Sequence, residues 1–142
     1  MTRPTACFTY GTLMCDDIFR AVTGQSCPAE PARLNGYRRH PVRGEDYPGI
    51  RPADDSSVYG VLYYLRDATA LARLDAFEGA QYQRKAVDVL TRDGITVSAW
   101  VYVFHPAHAH RLAPGDWDVD DFIRHGKARF LHRHLPTDRS DM

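Results

Sequence analysis

Cysteine is scarce and oddly numbered. Cys7, Cys15 and Cys27 are the three, with no C-x-x-C spacing, which argues against both a disulfide framework and a cysteine-held zinc and suits a reducing cytoplasm. An excess of either charge is missing too: 18 Lys and Arg balance 18 Asp and Glu, so the basic footprint of a nucleic-acid binder is lacking. No apolar run is long enough to cross a bilayer, and Thr2-Arg3-Pro4 lead into no signal-peptide core; the mature chain is expected to start near Met1 and to stay off membranes. Neither a Walker loop nor G-x-G-x-x-G occurs, which removes the usual support for NTP hydrolysis and for dinucleotide redox chemistry. With no repeat, low-complexity tract or Gly/Ser linker, residues 1–142 read as one domain, long enough to bury a core without disulfide or metal.

What is present alternates short strands with few helices. Ala6-Cys7-Phe8-Thr9-Tyr10 is a β-prone run that stops at Gly11, a strand feeding a turn. A helical stretch starts at Thr12-Leu13-Met14, buries Ile18, Phe19 and Val22 at helical spacing, and ends at Gly24. Between Arg33 and Asp55 the turn signal Asn35-Gly36 and the breakers Pro41, Gly44, Pro48, Gly49 and Pro52 predict alternating short strands and loops. Val58 to Leu65 reads as a central strand, with Gly60 marking a bulge or a close backbone approach. Asp67 is a good N-cap for a helix carrying Leu71, Leu74 and Phe77 and ending at Gly79, which places Glu78 in its last turn. Strands Tyr82–Thr91 and Thr96–Phe104 flank the hairpin turn at Asp93-Gly94. After a His- and Pro-rich loop, Asp116 to Asp121 precede an amphipathic helix with Phe122, Ile123, Phe130 and Leu131, closed by His132, Arg133 and His134. The pattern is α+β rather than doubly wound.

Glu78 is the most informative side chain. At the negative end of a helix dipole, with Leu74 and Phe77 near enough to desolvate it, its carboxyl is expected to titrate high, in the range useful to a general acid–base; an exposed surface glutamate is the competing account. At Tyr10-Gly11-Thr12-Leu13 a strand ends at a glycine and a helix begins, so successive N–H groups can face one concavity and hold an anion or oxyanion, unless the turn is an ordinary one. His105, His108 and His110 form H-x-x-H-x-H, a spacing that could hold zinc, but with no cysteine nearby a solvated histidine loop is the favoured reading. Arg38, Arg39, His40 and Arg43 make a basic patch able to meet a phosphate or carboxylate, or simply a solvated strand face. Cys15, near a helix N-terminus, is a minor candidate nucleophile with a lowered pKa and no base partner.

Taken in order, Phe8-Thr9-Tyr10-Gly11-Thr12-Leu13, Tyr47-Pro48-Gly49-Ile50, Val58-Tyr59-Gly60-Val61-Leu62-Tyr63, Leu74-Asp75-Ala76-Phe77-Glu78-Gly79 with Tyr82 and Arg84, and Ala99-Trp100-Val101-Tyr102-Val103 resemble the γ-glutamylcyclotransferase family of the AIG2-like type. The resemblance spans roughly residues 6 to 104, with Met14-Cys15 standing where the family often carries a basic residue. It implies a small mixed β-barrel with flanking helices, no metal or organic cofactor, and a small γ-glutamyl compound as substrate. In the implied chemistry the substrate's α-amine attacks its own γ-carbonyl, 5-oxoproline forms and an amine leaves. Glu78 would then be the catalytic acid–base, and Tyr10, Gly11, Thr12, Leu13, Tyr82, Tyr47 and Tyr102 would line the substrate site. The alternative is a non-catalytic domain that binds an amino-acid-like metabolite, and a Cys15 thiolate hydrolase ranks behind both.

Overall fold

The computed structural model describes residues 4–135. Its centre is a closed five-stranded barrel in the order β1-β3-β2-β4-β5, built from β1 (Ala6–Thr9), β2 (Ala29–Pro41), β3 (Pro48–Tyr64), β4 (Tyr82–Thr91) and β5 (Thr96–Phe104). Neighbouring strands are antiparallel except where β5 meets β1 in parallel at Trp100 and Cys7. Helices α1 (Asp16–Thr23), α2 (Ala68–Glu78), α3 (Val119–Asp121) and α4 (Lys127–His134) flank the barrel. This is the α+β barrel that the family resemblance implies. No helix among the described residues is long and apolar enough to cross a membrane.

Side-chain alternation along β1 divides the core in two. Ala6, Phe8 and Tyr10 point into the barrel with Leu34, Ile50, Val58, Leu62, Val89 and Val101, while Cys7 faces the helices with Ile18, Phe19, Tyr63 and Leu74. β1 is therefore buried along its whole length, with no solvent face, and its one polar side chain, Thr9, donates to the Val61 carbonyl at 2.8 Å. Tyr63 stacks on Phe19 with ring centroids 3.7 Å apart, fastening α1 to β3.

The segment from Arg33 to Asp55 departs from the expected short strands. β2 and β3 instead form one long hairpin, paired from Ala29↔Tyr63 to Pro41↔Pro48, and Asn35-Gly36 is a bulge within β2 rather than its turn. Gly36 does adopt φ +86°, so the conformation signalled by Asn-Gly is realised, but mid-strand, where it kinks the ladder so that the barrel can close. The reversal lies at residues 42–47. Gly60 allows the close approach expected of it: a Cβ there would run into the Thr9 carbonyl oxygen and come within 2.9 Å of the Phe8 ring.

The other elements follow their local signals. Asp67 caps α2 by accepting from the Thr69 and Ala70 N–H groups, and β4 and β5 pair in register from Tyr82↔Phe104 to Leu90↔Thr96. Thr12–Met14 is a single 3₁₀ turn, separated from α1 by the extended Cys15. The amphipathic helix expected near the C-terminus is interrupted, since Phe122–Gly126 is wound as a π-helix between α3 and α4. Phe122 and Phe130 are buried as expected, whereas Ile123 is 49% exposed; the π turn rotates the helical face and carries Ile123 outward.

Gly60→Ala is expected to lower unfolding stability by about 1–3 kcal/mol, the usual cost of an overpacked site. Chemical denaturation measures it, and an unchanged midpoint would mean that β1 and β3 can separate there without loss.

Candidate active site

All eight residues singled out in the sequence reach one cavity of about 180 Å³ at the end of β1: Tyr10, Gly11, Thr12, Leu13, Tyr47, Glu78, Tyr82 and Tyr102. The turn after β1 supplies its backbone wall. The Met14 N–H donates to the Gly11 carbonyl at 2.9 Å and the Cys15 N–H to the Thr12 carbonyl at 3.1 Å, while the Tyr63 hydroxyl donates to the Leu13 carbonyl at 3.0 Å. The carbonyls of the turn are thus held within the fold, and the N–H groups of Gly11, Thr12 and Leu13 have no acceptor among the described residues. A Cβ on Gly11 would lie 2.8 Å from Pro48, so the turn packs against the start of β3 in a way only glycine allows.

Glu78 is the last residue of α2 and contributes the carboxyl of the cavity. Burial pushes that carboxyl up to about 8, so desolvation, with the buried Leu74 and the cavity-lining Phe77 beside it, dominates over the helix dipole. The position of α2 is fixed one turn earlier. Asp75 accepts from the Tyr102 hydroxyl at 2.7 Å and from Arg84 at 3.0 Å, and the Arg84 guanidinium lies 4.4 Å from the centre of the Trp100 ring. Asp75 and Glu78 stand three residues apart, so this anchor to β4 and β5 orients the turn that carries the carboxyl.

Three of the four tyrosines direct their hydroxyls into the scaffold. Tyr10 donates to the Tyr102 carbonyl at 2.5 Å, Tyr82 to the Pro48 carbonyl at 2.7 Å, and Tyr102 to Asp75. Burial raises all three hydroxyls, which keeps them neutral. Each of these hydroxyls is thus engaged within the fold. Tyr47 packs 6.4 Å from the Tyr82 ring and 5.7 Å from that of His134.

The cavity also takes Gln81, Phe77, Phe130 and His134, which the sequence reading did not assign to it. Gln81 follows Glu78 by three residues, and its Oε1 is buried with no hydrogen-bond partner. Nothing local in the sequence marks this acceptor. Phe130 and His134 come from α4, which is tied to the 42–47 reversal by Arg129 on Asp46 and Arg133 on Glu45.

Other candidates lie elsewhere. His105, His108 and His110 belong to a 3₁₀ stretch after β5, where His105 Nδ1 accepts from the Ala107 N–H at 3.0 Å. Burial raises the Cys15 thiol, the reverse of the lowering expected from a helix N-terminus, and Cys15 does not line the cavity. The basic patch splits by strand alternation: Arg38 is exposed, while Arg39 turns inward behind the β1 turn.

Comparison with known proteins bears on the family and the fold. Residues 7–119 match the family model described as gamma-glutamyl cyclotransferase, AIG2-like. AIG2-like protein D of Arabidopsis thaliana is 38% identical over 118 residues, covering 81% of this chain and 76% of its own. The fold is shared with a solution structure of another Arabidopsis thaliana protein, at TM-score 0.68 and 24% identity over 94% of this chain and 81% of that one. It is also shared with a structure titled gamma-glutamyl cyclotransferase, at TM-score 0.64 and 16% identity over 97% and 92%. Phe130 and His134 lie beyond the matched residues, so one wall of the cavity comes from outside them. The chain therefore belongs to the AIG2-like gamma-glutamyl cyclotransferase family.

Proposed function

We propose that the chain is a cofactor-independent γ-glutamyl cyclotransferase that releases 5-oxoproline and a free amine from a γ-glutamyl amide or peptide, with Glu78 as the acid–base residue. The observation that carries this reading is a desolvated carboxyl at about 8 sharing one cavity with a row of unpaired backbone N–H groups. The α-ammonium of a γ-glutamyl compound stands beside a carboxylate and is a weaker acid than a carboxyl of ordinary pKa. Raising Glu78 to about 8 narrows the gap that proton transfer between them must cross, the direction that favours acid–base catalysis.

The bonds balance within the substrate. The freed α-amine nitrogen bonds to the γ-carbonyl carbon, the tetrahedral centre collapses, and the bond from that carbon to the departing nitrogen breaks. The two protons lost as the α-ammonium becomes a lactam N–H end on the departing amine, relayed through Glu78. No oxidant, water or acceptor is consumed. No Lys or Arg is among the lining residues, and the N–H groups of Gly11, Thr12 and Leu13 offer fixed donors to the α-carboxylate and to the oxyanion. The unpartnered Gln81 Oε1 offers an acceptor to the α-ammonium. Tyr10, Tyr47, Tyr82 and Tyr102 are walls that hold the amine against the carbonyl, which supplies the entropic advantage of an intramolecular attack.

Glu78→Gln keeps the shape and loses the proton relay. Turnover of the best compound in a panel of γ-glutamyl dipeptides and γ-glutamylamines should fall by about 10²–10⁴, followed by 5-oxoproline release with mass spectrometry. Wild-type binding without product from any member would instead favour a metabolite-binding domain.

The pH dependence has a definite sign. Activity should climb with an apparent pKa near 8 as Glu78 ionises. Stability should run the opposite way: the native state holds its proton up to about 8, the unfolded chain releases it at about 4.3, and stability therefore declines as pH rises between the two. Thermal melts across that window should show the decline in wild type and a flatter profile in Glu78→Gln.

A further inference from the structure

We propose that Arg39, which does not itself line the cavity, is a positioning residue that holds the Tyr10–Gly11 peptide so that the Gly11 N–H faces the cavity as a donor to the α-carboxylate of the substrate. The proposal rests on the γ-glutamyl reading for the identity of the anion and on the following geometry for the rest.

β1 ends at Thr9, so the Tyr10 carbonyl lies past the last ladder pair. It accepts instead from Arg39 Nη1 at 2.8 Å. In a trans peptide the carbonyl and the following N–H point in opposite directions. Since Arg39 stands outside the cavity and Gly11 lines it, capture of that carbonyl from behind turns the Gly11 N–H toward the ligand side. The side chain of Tyr10 is fixed separately, through its hydroxyl on the Tyr102 carbonyl, so the peptide plane is the remaining freedom and Arg39 removes it.

The guanidinium has every nitrogen engaged. Nε and Nη2 donate to the two Asp116 oxygens at 2.8 and 3.3 Å, and the Trp117 ring centre lies 5.5 Å from its central carbon. Asp116 also accepts from the Trp117 N–H at 2.7 Å. Burial alone would raise the Asp116 carboxyl, but Arg39 and that N–H hold it below the usual range, so it remains an anion. A planar fork serving a carboxylate on one edge and a carbonyl on the other is work an arginine can do and a lysine cannot. The chemistry it supports is recognition of a carboxylate by fixed backbone dipoles, in a cavity that no Lys or Arg lines.

The test uses Arg39→Met, Arg39→Lys and Asp116→Asn, each checked for fold by circular dichroism. A carboxylate carries the same charge in ground and transition states, so Arg39→Met should raise KM tenfold or more while kcat stays within about twofold. Arg39→Lys and Asp116→Asn should raise KM by less, and the activity pKa near 8 should hold in all three because Glu78 is untouched. An unchanged KM in Arg39→Met, or in the two milder variants if Met does not fold, overturns the inference while leaving the cyclotransferase reading in place. Should the wild type turn over no γ-glutamyl compound, that reading has failed, and the inference is decided by the Gly11 amide in a ¹H–¹⁵N spectrum titrated with 5-oxoproline. A shift in wild type that is absent from Arg39→Met upholds it, and no shift in wild type overturns it.

Discussion

Strand β1 has no solvent face, and the site depends on that. Its four residues are buried in turn against the barrel interior and against the helices, so it cannot slide by one residue without exchanging Phe8 for Cys7 in the core. The pairing of β1 with both β3 and β5 closes the barrel. A turn leaving such a strand inherits its fixed position, which is why three consecutive residues, Gly11 to Leu13, can present a row of amides with little loop freedom. The Gly60 contact with the Thr9 carbonyl belongs to the same constraint, because β3 must come that close for the strand to be enclosed.

The polar inventory of the cavity is narrow in consequence. Hydroxyls that would compete for a ligand are tied into carbonyls and into Asp75. What remains is one desolvated carboxyl, one unpartnered amide oxygen, a run of backbone N–H groups and the side chains of Thr12, Tyr47 and His134. A carboxyl in such surroundings gains little from neighbouring dipoles, so burial sets its proton affinity. The helix that carries it is positioned by Asp75, a residue that takes no part in lining the cavity.

Much of this was legible in the sequence where a signal is local. The Asp67 cap, the Asp93-Gly94 hairpin, the strand-to-turn break at Gly11 and the placing of Glu78 at a helix end each depend on a few neighbouring residues, and the structure has all of them. Asn35-Gly36 shows where locality fails: the dipeptide fixes a backbone conformation, but whether that conformation reverses a chain or bends it depends on distant strands, and here barrel closure selects the bend. The π turn at Phe122–Gly126 has the same origin, since Gly126 packs against Asp46 far away in sequence. Arg39 stood in a basic run with nothing to separate it from Arg38. Only strand alternation and the position of the β1 turn distinguish the arginine that grips the Tyr10 carbonyl from its exposed neighbour.

The origin of the α4 wall has a consequence for how the molecule can change. The amide row and the carboxyl lie within the residues matched to the family, whereas Phe130 and His134 lie after them, on a helix fastened at its surface by Arg129 and Arg133. The amide row and carboxyl on one side and this wall on the other are therefore written in successive stretches of chain. The two residues differ in what a change would disturb: Phe130 is buried in the helix-side core against Phe77 of α2, whereas His134 is exposed and packs on the Tyr47 and Phe130 rings. Position 134 is therefore where this wall can vary at least cost to the core, reshaping the cavity without a change to the amide row or the carboxyl.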